Sequence, residues 1–378
     1  MSAAPICLEV AEIDGTLFAA RVKDGTVIDL SAQRSDDRLV AGTVVVGRVT
    51  KRLPNNMGAL VDIGRGRAAP LMKAGDAREG GLIAVQLLAD RQAMREGKLP
   101  ALSRDIALPG RFVLFRPGSD DGLRFSRRLA KADHPTWEEA FADLAQGGLL
   151  VRAGASAGDT RAALTEVARL ATLALTLAPV QAAKVGAVLL DGPTAWQRAI
   201  IDEPSPEMIR SPAGPLATAI KDWLAKAAPD LQLRFHQAEA ENLMRLLDDV
   251  DQLVTTCLAL DGGGTVWIEQ TRALTAVDID APLGASRRQV NESAATVIAE
   301  QIRLRNLSGQ FAIDFLRVGD AAERRRLLNL LQASLQADAP AGAAHLHFDR
   351  DLSPVGPYLF SRERRGSPLG AVIDDTDG

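Results

Sequence analysis

The chain opens on alternation. Leu8-Glu-Val-Ala-Glu-Ile13 places apolar and polar side chains in turn, and Thr16 to Val22 does so in part, the period of a half-buried strand. Asp14-Gly15 and Asp24-Gly25 interrupt these runs, and such dipeptides favour the positive φ of tight hairpin turns. The pattern predicts short hairpins over the first 40 residues. A sheet of two or three strands is too small to stand alone, so it should dock on a later part of the chain. From about residue 42 to 112 the pattern is strand-rich: Val44 to Arg52, Gly58 to Gly64 beyond a Pro54-Asn-Asn turn, and Leu82 to Leu88. Gly47, Gly58 and Gly64 fall where a small barrel bends, which reads as an OB-type barrel.

The middle is mixed, with helices expected over 137–144 and 161–177 and a strand from Leu149 into a small-residue turn. Strands are expected at 187–191 and 198–202, and helices at 215–227 and 236–254. In the last third, Gly262-Gly-Gly264 is a turn between strands rather than a phosphate cradle, because no helix follows it. Strands are expected over 265–269, 274–280, 310–316 and 345–348, with helices over 294–307 and 324–337. Pro340-Ala-Gly reads as a loop, and the residues after Gly370 as a disordered acidic tail.

Two of these strands carry candidate chemistry. In Val277-Asp-Ile-Asp280 the period of two puts both carboxylates on one face and Val277 and Ile279 on the other. Ile313-Asp-Phe315 again interrupts an apolar strand with one carboxylate. If these strands are neighbours through the intervening helix, three carboxylates converge on one surface. Oxygen ligands gathered this way suit Mg²⁺, which takes one or two carboxylates and keeps waters for phosphate. The competing reading is three solvated strand-end aspartates, and spacing alone leaves both open.

Composition narrows the classes. A length of 378 residues predicts two or three domains, and 47% hydrophobic with 24% charged residues excludes a wholly disordered chain. A net charge of −4 excludes a globally basic nucleic-acid binder and leaves room for local basic patches. The two cysteines, Cys7 and Cys257, exclude a disulfide framework and an all-cysteine zinc site. With no long apolar run and no leader pattern, the expectation is a cytoplasmic protein away from membranes. His236, His345 and His347 have no spaced partner that singles one out, and Arg324-Arg-Arg326 reads as the outer face of a helix.

Thr271-Arg-Ala-Leu-Thr-Ala-Val-Asp-Ile-Asp280 resembles the catalytic strand of the ribonuclease E/G family, and Ala312-Ile-Asp-Phe315 resembles that family's second aspartate strand. Between them Asn291-Glu-Ser-Ala-Ala, Ala299-Glu-Gln-Ile-Arg-Leu-Arg-Asn-Leu and Ser308-Gly resemble the intervening helix. Gly47-Arg-Val and Gly58 to Gly64 resemble the family's S1-type OB domain. Leu123-Arg-Phe-Ser-Arg-Arg128 and Leu149-Leu-Val-Arg152 resemble its sensor of a 5′-monophosphate, and Leu359 to Arg365 its basic segment.

The resemblance implies a multi-domain α/β (α+β) architecture. A ribonuclease-H-like subdomain would be split between residues 1–40 and 191–252, with an S1-type OB barrel (41–112) and a 5′-sensor region (113–190) inserted. A deoxyribonuclease-I-like catalytic α/β domain (253–378) would follow. It implies an Mg²⁺-dependent endoribonuclease acting on single-stranded RNA, with Mn²⁺ as a substitute. The alternative is an inactive RNA-binding derivative of the family.

Asp278 and Asp314 match the metal-binding aspartates, and Asp280 stands where the family has an asparagine. Arg152, Arg127, Arg128, Arg287, Asn291, Arg362 and Arg364 are the implied RNA contacts. Three departures are visible. Ala153 replaces a threonine of the 5′-phosphate pocket, Leu60 replaces a base-stacking aromatic, and the zinc-linking Cys-Pro-x-Cys is absent. No zinc is therefore expected, and the chain should be a monomer or a dimer held by other surfaces.

Overall fold

The structure, a computed structural model, describes residues 5–37, 39–64, 68–88, 101–143, 147–177, 180–248, 250–337, 346–349, 356–363 and 366–373. The chain begins with an antiparallel meander of β1 (Ile6–Ile13), β2 (Thr16–Lys23) and β3 (Thr26–Arg34). Its turns, Asp14-Gly15 and Asp24-Gly25, have φ of 47° and 69°, and of 50° and 75°. Two positive φ values in succession give a turn whose twist matches that of the strands it joins.

A barrel follows, built from β4 (Val44–Arg52), β5 (Ala59–Asp62), β6 (Ala68–Leu71), β7 (Leu82–Leu87) and β8 (Leu102–Ser103). The strands run β4-β5-β6-β8-β7, and β7 pairs back to β4 to close the ring. Alternation sends Val45, Val49, Val61, Leu71 and Val85 into its core. A Cβ on Gly47 would meet Val61 Cγ1 at 2.4 Å, and one on Gly58 (φ 106°) would meet the Leu71 carbonyl oxygen at 2.0 Å. This closed five-stranded barrel is consistent with the OB-type fold expected there.

Next come β9 (Leu108–Pro109), β10 (Val113–Arg116), β11 (Leu123–Phe125), α1 (His134–Ala140), β12 (Gly148–Val151) and α2 (Thr160–Leu175). The four strands form one sheet, ordered β11-β12-β10-β9. Glu166 of α2, 4% exposed, accepts from the backbone N–H groups of Arg111, Phe112 and Val113 at 2.7, 3.0 and 3.1 Å. β13 (Val188–Leu190) then returns to the barrel beside β4.

The strand expected at 198–202 is instead α3 (Ala195–Asp202). Thr194 and Gln197 form a reciprocal capping box, and Trp196 and Ile200 are buried four residues apart on one helical face. The 236–254 helix is also corrected. After β14 (Met208–Ser211) and α4 (Pro215–Ala227), the chain makes β15 (Phe235–Gln237) and two short helices, α5 (Glu241–Leu247) and α6 (Val250–Val254). β14 pairs in parallel with β1, giving a sheet ordered β15-β14-β1-β2-β3. The N-terminal hairpins thus dock on a later segment, as expected. Fully buried Glu9 secures the joint by accepting from Asn242 Nδ2 and Leu243 N at 2.7 and 2.8 Å.

The last sheet contains β16 (Cys257–Ala259), β17 (Thr265–Gln270) and β18 (Thr275–Asp280). After α7 (Arg287–Leu304) comes β19 (Gly309–Asp314), and after α8 (Ala321–Gln336) come β20 (Leu346–Phe348) and β21 (Tyr358–Arg362). Its order is β16-β17-β18-β19-β21-β20. α7 begins at Arg287, ahead of the expected 294, because Ser286 caps it by accepting from Gln289 N. Val290, Ala294, Ile298 and Ile302 of α7 and Leu327 and Leu331 of α8 join one buried cluster with one face of this sheet. The tail expectation is corrected for 371–373. These residues belong to α9 (Leu369–Ile373), whose Leu369 and Val372 pack with Leu304 into the core under the N-terminal sheet. Residues 374–378, Pro340-Ala-Gly and His345 lie outside the described residues.

Glu166→Ala strips three buried N–H groups of their acceptor. At about 1–3 kcal/mol for each unsatisfied buried group, urea unfolding should show a loss of at least about 3 kcal/mol.

Candidate active site

The site follows from how one sheet is covered. β18 and β19 are parallel and joined by α7, with Val277 opposite Ile313 and Asp278 opposite Asp314. Val277, Ile279, Phe311 and Ile313 are buried on the helix side. Period two then sends Asp278, Asp280 and Asp314 to the other side, where all three are exposed. Neighbouring strands lie about 4.8 Å apart, so Asp278 and Asp314 stand side by side on one rung. Among the described residues neither carboxylate has an ion pair or hydrogen bond.

Asp280 shares the face but not the rung. It sits two residues further on, about 6.6 Å along the strand, opposite Thr265, where β19 has already ended. All three carboxylates therefore lie on one surface, as a pair with a third beyond it. Among the described residues no three His, Cys, Asp or Glu side chains gather as a metal centre.

Asn291 is buried beneath this site. Its Nδ2 donates to the Leu316 carbonyl at 2.9 Å, and its Oδ1 accepts from Leu316 N at 3.0 Å. It ties α7 to the backbone two residues beyond Asp314 and holds that strand end in place. Arg287 and Arg288 are exposed in the first turn of α7, and Arg288 Nε pairs with Glu292 at 2.9 Å. On the other side of Asp278, its antiparallel partner is Trp267, 38% exposed. Sequence reading did not single out this tryptophan. The signal was present in Thr265-Val-Trp-Ile-Glu, where alternation groups Trp267 with Thr265 and Glu269 on the polar face.

The arginines separate into displayed and committed groups. Arg127 and Arg128 are exposed just after β11. Arg152 is turned inward: its Nη1 donates to the Gly110 and Ile201 carbonyls at 2.6 and 2.8 Å, and its Nη2 pairs with buried Asp202 at 2.5 Å. Burial pushes this guanidinium down to about 10, so it stays charged at neutral pH. Arg362 shares strand parity with buried Tyr358 and Phe360, so it also points inward and donates to the Leu307 carbonyl at 2.6 Å. Burial lowers its pKa as well. Arg364 lies outside the described residues.

A family model described as the ribonuclease E/G family matches residues 107–343. Ribonuclease G of Salmonella typhimurium (strain SL1344) is 25% identical over 393 residues, spanning 94% of this chain and 79% of that protein. Ribonuclease G of Haemophilus influenzae is 26% identical over 399 residues, with the same coverage of 94% and 79%. Ribonuclease E of Nostoc sp. (strain PCC 7120) is 26% identical over 368 residues, spanning 89% of this chain and 53% of that protein.

The geometry makes Arg152 a joint between the β9–β12 sheet and α3. Arg152→Ala removes the guanidinium paired with buried Asp202 and the donor to two carbonyls, and breaking such a pair costs about 3–5 kcal/mol. Thermal or urea unfolding should register that loss with or without RNA present. Asn291→Ala removes two hydrogen bonds and should cost about 1–3 kcal/mol, read in the same way.

Proposed function

Because the chain belongs to the ribonuclease E/G family, we propose that it is an endoribonuclease that cuts single-stranded RNA, with Asp278 and Asp314 holding Mg²⁺. The observation that carries this reading is the rung on which these aspartates stand side by side, exposed and without a partner among the described residues. The donor set fits the ion: Mg²⁺ takes one or two carboxylates and keeps waters that a phosphate can replace. When bound, the ion supplies Lewis-acid stabilisation of phosphoryl charge and lowers the pKa of a coordinated water. Mn²⁺ suits the same hard oxygen donors.

The chain's own residues supply the remaining functions. The buried face beneath Val277 and Ile313 fixes the rung, and Asn291 fixes the backbone that leaves it. We assign Asp280, one pleat further along β18 on the same exposed face, to orienting water beside the pair. Arg48 and Lys51 are exposed along β4 and offer the barrel's phosphate contacts, while Arg127, Arg128 and Arg287 extend the basic surface elsewhere. Arg152 and Arg362 are excluded from this list because their guanidinium groups are already committed inside the fold. In family terms we read the N-terminal five-stranded sheet as the ribonuclease-H-like subdomain and the last sheet as the deoxyribonuclease-I-like one. Cys7 and Cys257 belong to different sheets, so we infer assembly without a zinc link. Among the described residues no helix is long and apolar enough to cross a membrane, and we place the activity in the cytoplasm.

Labelled single-stranded RNA should be cut with Mg²⁺ and left intact with chelator. Asp278→Asn should abolish cutting while RNA binding persists, since it removes a metal ligand and a phosphate-repelling charge. Cutting by that variant at the wild-type rate would refute the assignment. Because Asp202 already fills the Arg152 guanidinium, RNAs bearing a 5′-monophosphate or a 5′-hydroxyl should be cut at rates within about tenfold of each other, less than a hydrogen bond to a charged group can give.

A further inference from the structure

We propose that Trp267 is a base-stacking platform of this active site, receiving a nucleobase beside the phosphate at the Asp278–Asp314 rung; this rests on the ribonuclease reading. The argument begins with what the barrel lacks. Residues 41–103 contain no Phe, Tyr or Trp at all, so a chain that grips single-stranded RNA there has charge and aliphatic surface but no ring. Stacking on an aromatic side chain is the sequence-tolerant half of single-strand recognition, and the basic groove is the other half. The structure places a ring elsewhere, on the open face of the last sheet.

A packing role does not account for it. Trp137 and Trp196 are buried in cores, and Trp196 meets Trp223 edge-on at 5.7 Å. Trp267 instead faces away from the cluster formed by Val266, Ile268 and α7, on the face opposite the one that α7 and α8 cover. Its cross-strand neighbours are Cys257 and Asp278, not the aromatic or β-branched residues that stabilise a sheet by pairing. Among the described residues its indole N–H donates to no acceptor. Opposite residues of an antiparallel pair have Cα atoms about 4.5–5.5 Å apart. The indole therefore stands next to Asp278 on the flank away from Asp314, within reach of a nucleotide bordering the cut.

The test uses the full chain, the variants Trp267→Ala and Trp267→Phe, and a labelled oligoribonucleotide with one cut site, from which single bases are removed in turn to leave abasic ribose. Wild type should lose about 5- to 150-fold in kcat/KM when one base bordering the cut is removed. Trp267→Ala should show that loss on intact RNA and lose nothing more on the abasic RNA, and Trp267→Phe should keep most of the wild-type rate. In an Asp278→Asn background, intact RNA should quench a tryptophan signal that Trp267→Phe lacks. Trp267→Ala cutting intact RNA at the wild-type rate, or the two losses multiplying, would overturn the platform. A wild type that binds RNA with this quenching but never cuts it would keep the platform and overturn the ribonuclease reading. A wild type that neither binds nor cuts would overturn both.

Discussion

The structure depends on one crossover. β18 and β19 are parallel strands, and parallel strands need a long connection that lies across one face of their sheet. α7 is that connection, and its Val290, Ala294, Ile298 and Ile302 cover Val277, Ile279, Phe311 and Ile313. Once that face is closed, the alternate positions have nowhere to point but outward. A slip of one residue would exchange the faces and drive Asp278 and Asp314 into the core. The pairing register is therefore enforced by the same burial that creates the site. The helix is itself braced from behind: Leu304 packs with β2 and β3 residues, and Arg303 Nε donates to the Ile28 carbonyl at 3.1 Å. The N-terminal hairpins thereby bear on the geometry of a site far from them in the sequence.

Charged side chains serve as joints elsewhere in the molecule. Glu9 closes β1 onto α5, and Glu166 gathers the backbone of 111–113. Arg111 reaches the Pro204 carbonyl at 2.7 Å and Asp230 at 2.5 Å, and Arg152 reaches Ile201 and Asp202. These last two arginines join the β9–β12 sheet to the α3–β15 segment. A guanidinium fits such a place because its planar fork satisfies several acceptors at once, and the same property makes an arginine in a sequence look like a phosphate contact.

That ambiguity marks the limit of what the sequence disclosed. The hairpin turns, the barrel and the aspartate strands were legible because each rests on a local rule: paired positive-φ turn residues, glycines at barrel bends, and alternation broken by carboxylates. Arg362 was not legible, because Arg362-Glu-Arg-Arg365 reads as a basic cluster until β21 is known to carry Tyr358, Phe360 and Arg362 on one parity. α3 was misread because Ile200-Ile-Asp202 has the composition of a strand, and the deciding capping box lies outside that run. Period two specifies the face that Asp280 shares with the other two carboxylates, but not that it stands beyond their rung, where the neighbouring strand has ended. Arg152 was placed by resemblance, and only its partners show that the guanidinium is already filled.

The pairing of β1 with β14 joins Cys7 to Met208, so the first strand's parallel neighbour is encoded some two hundred residues downstream. At about 5–20 residues per second of synthesis, the N-terminal meander would wait roughly 10–40 seconds on the ribosome before its sheet could be completed. Over that interval one strand edge has its backbone donors and acceptors unmet, the kind of edge that invites pairing with another chain. The barrel, whose strands all lie between residues 44 and 103, can close in the meantime. Vectorial synthesis would thus complete the inserted module before the sheet that frames it.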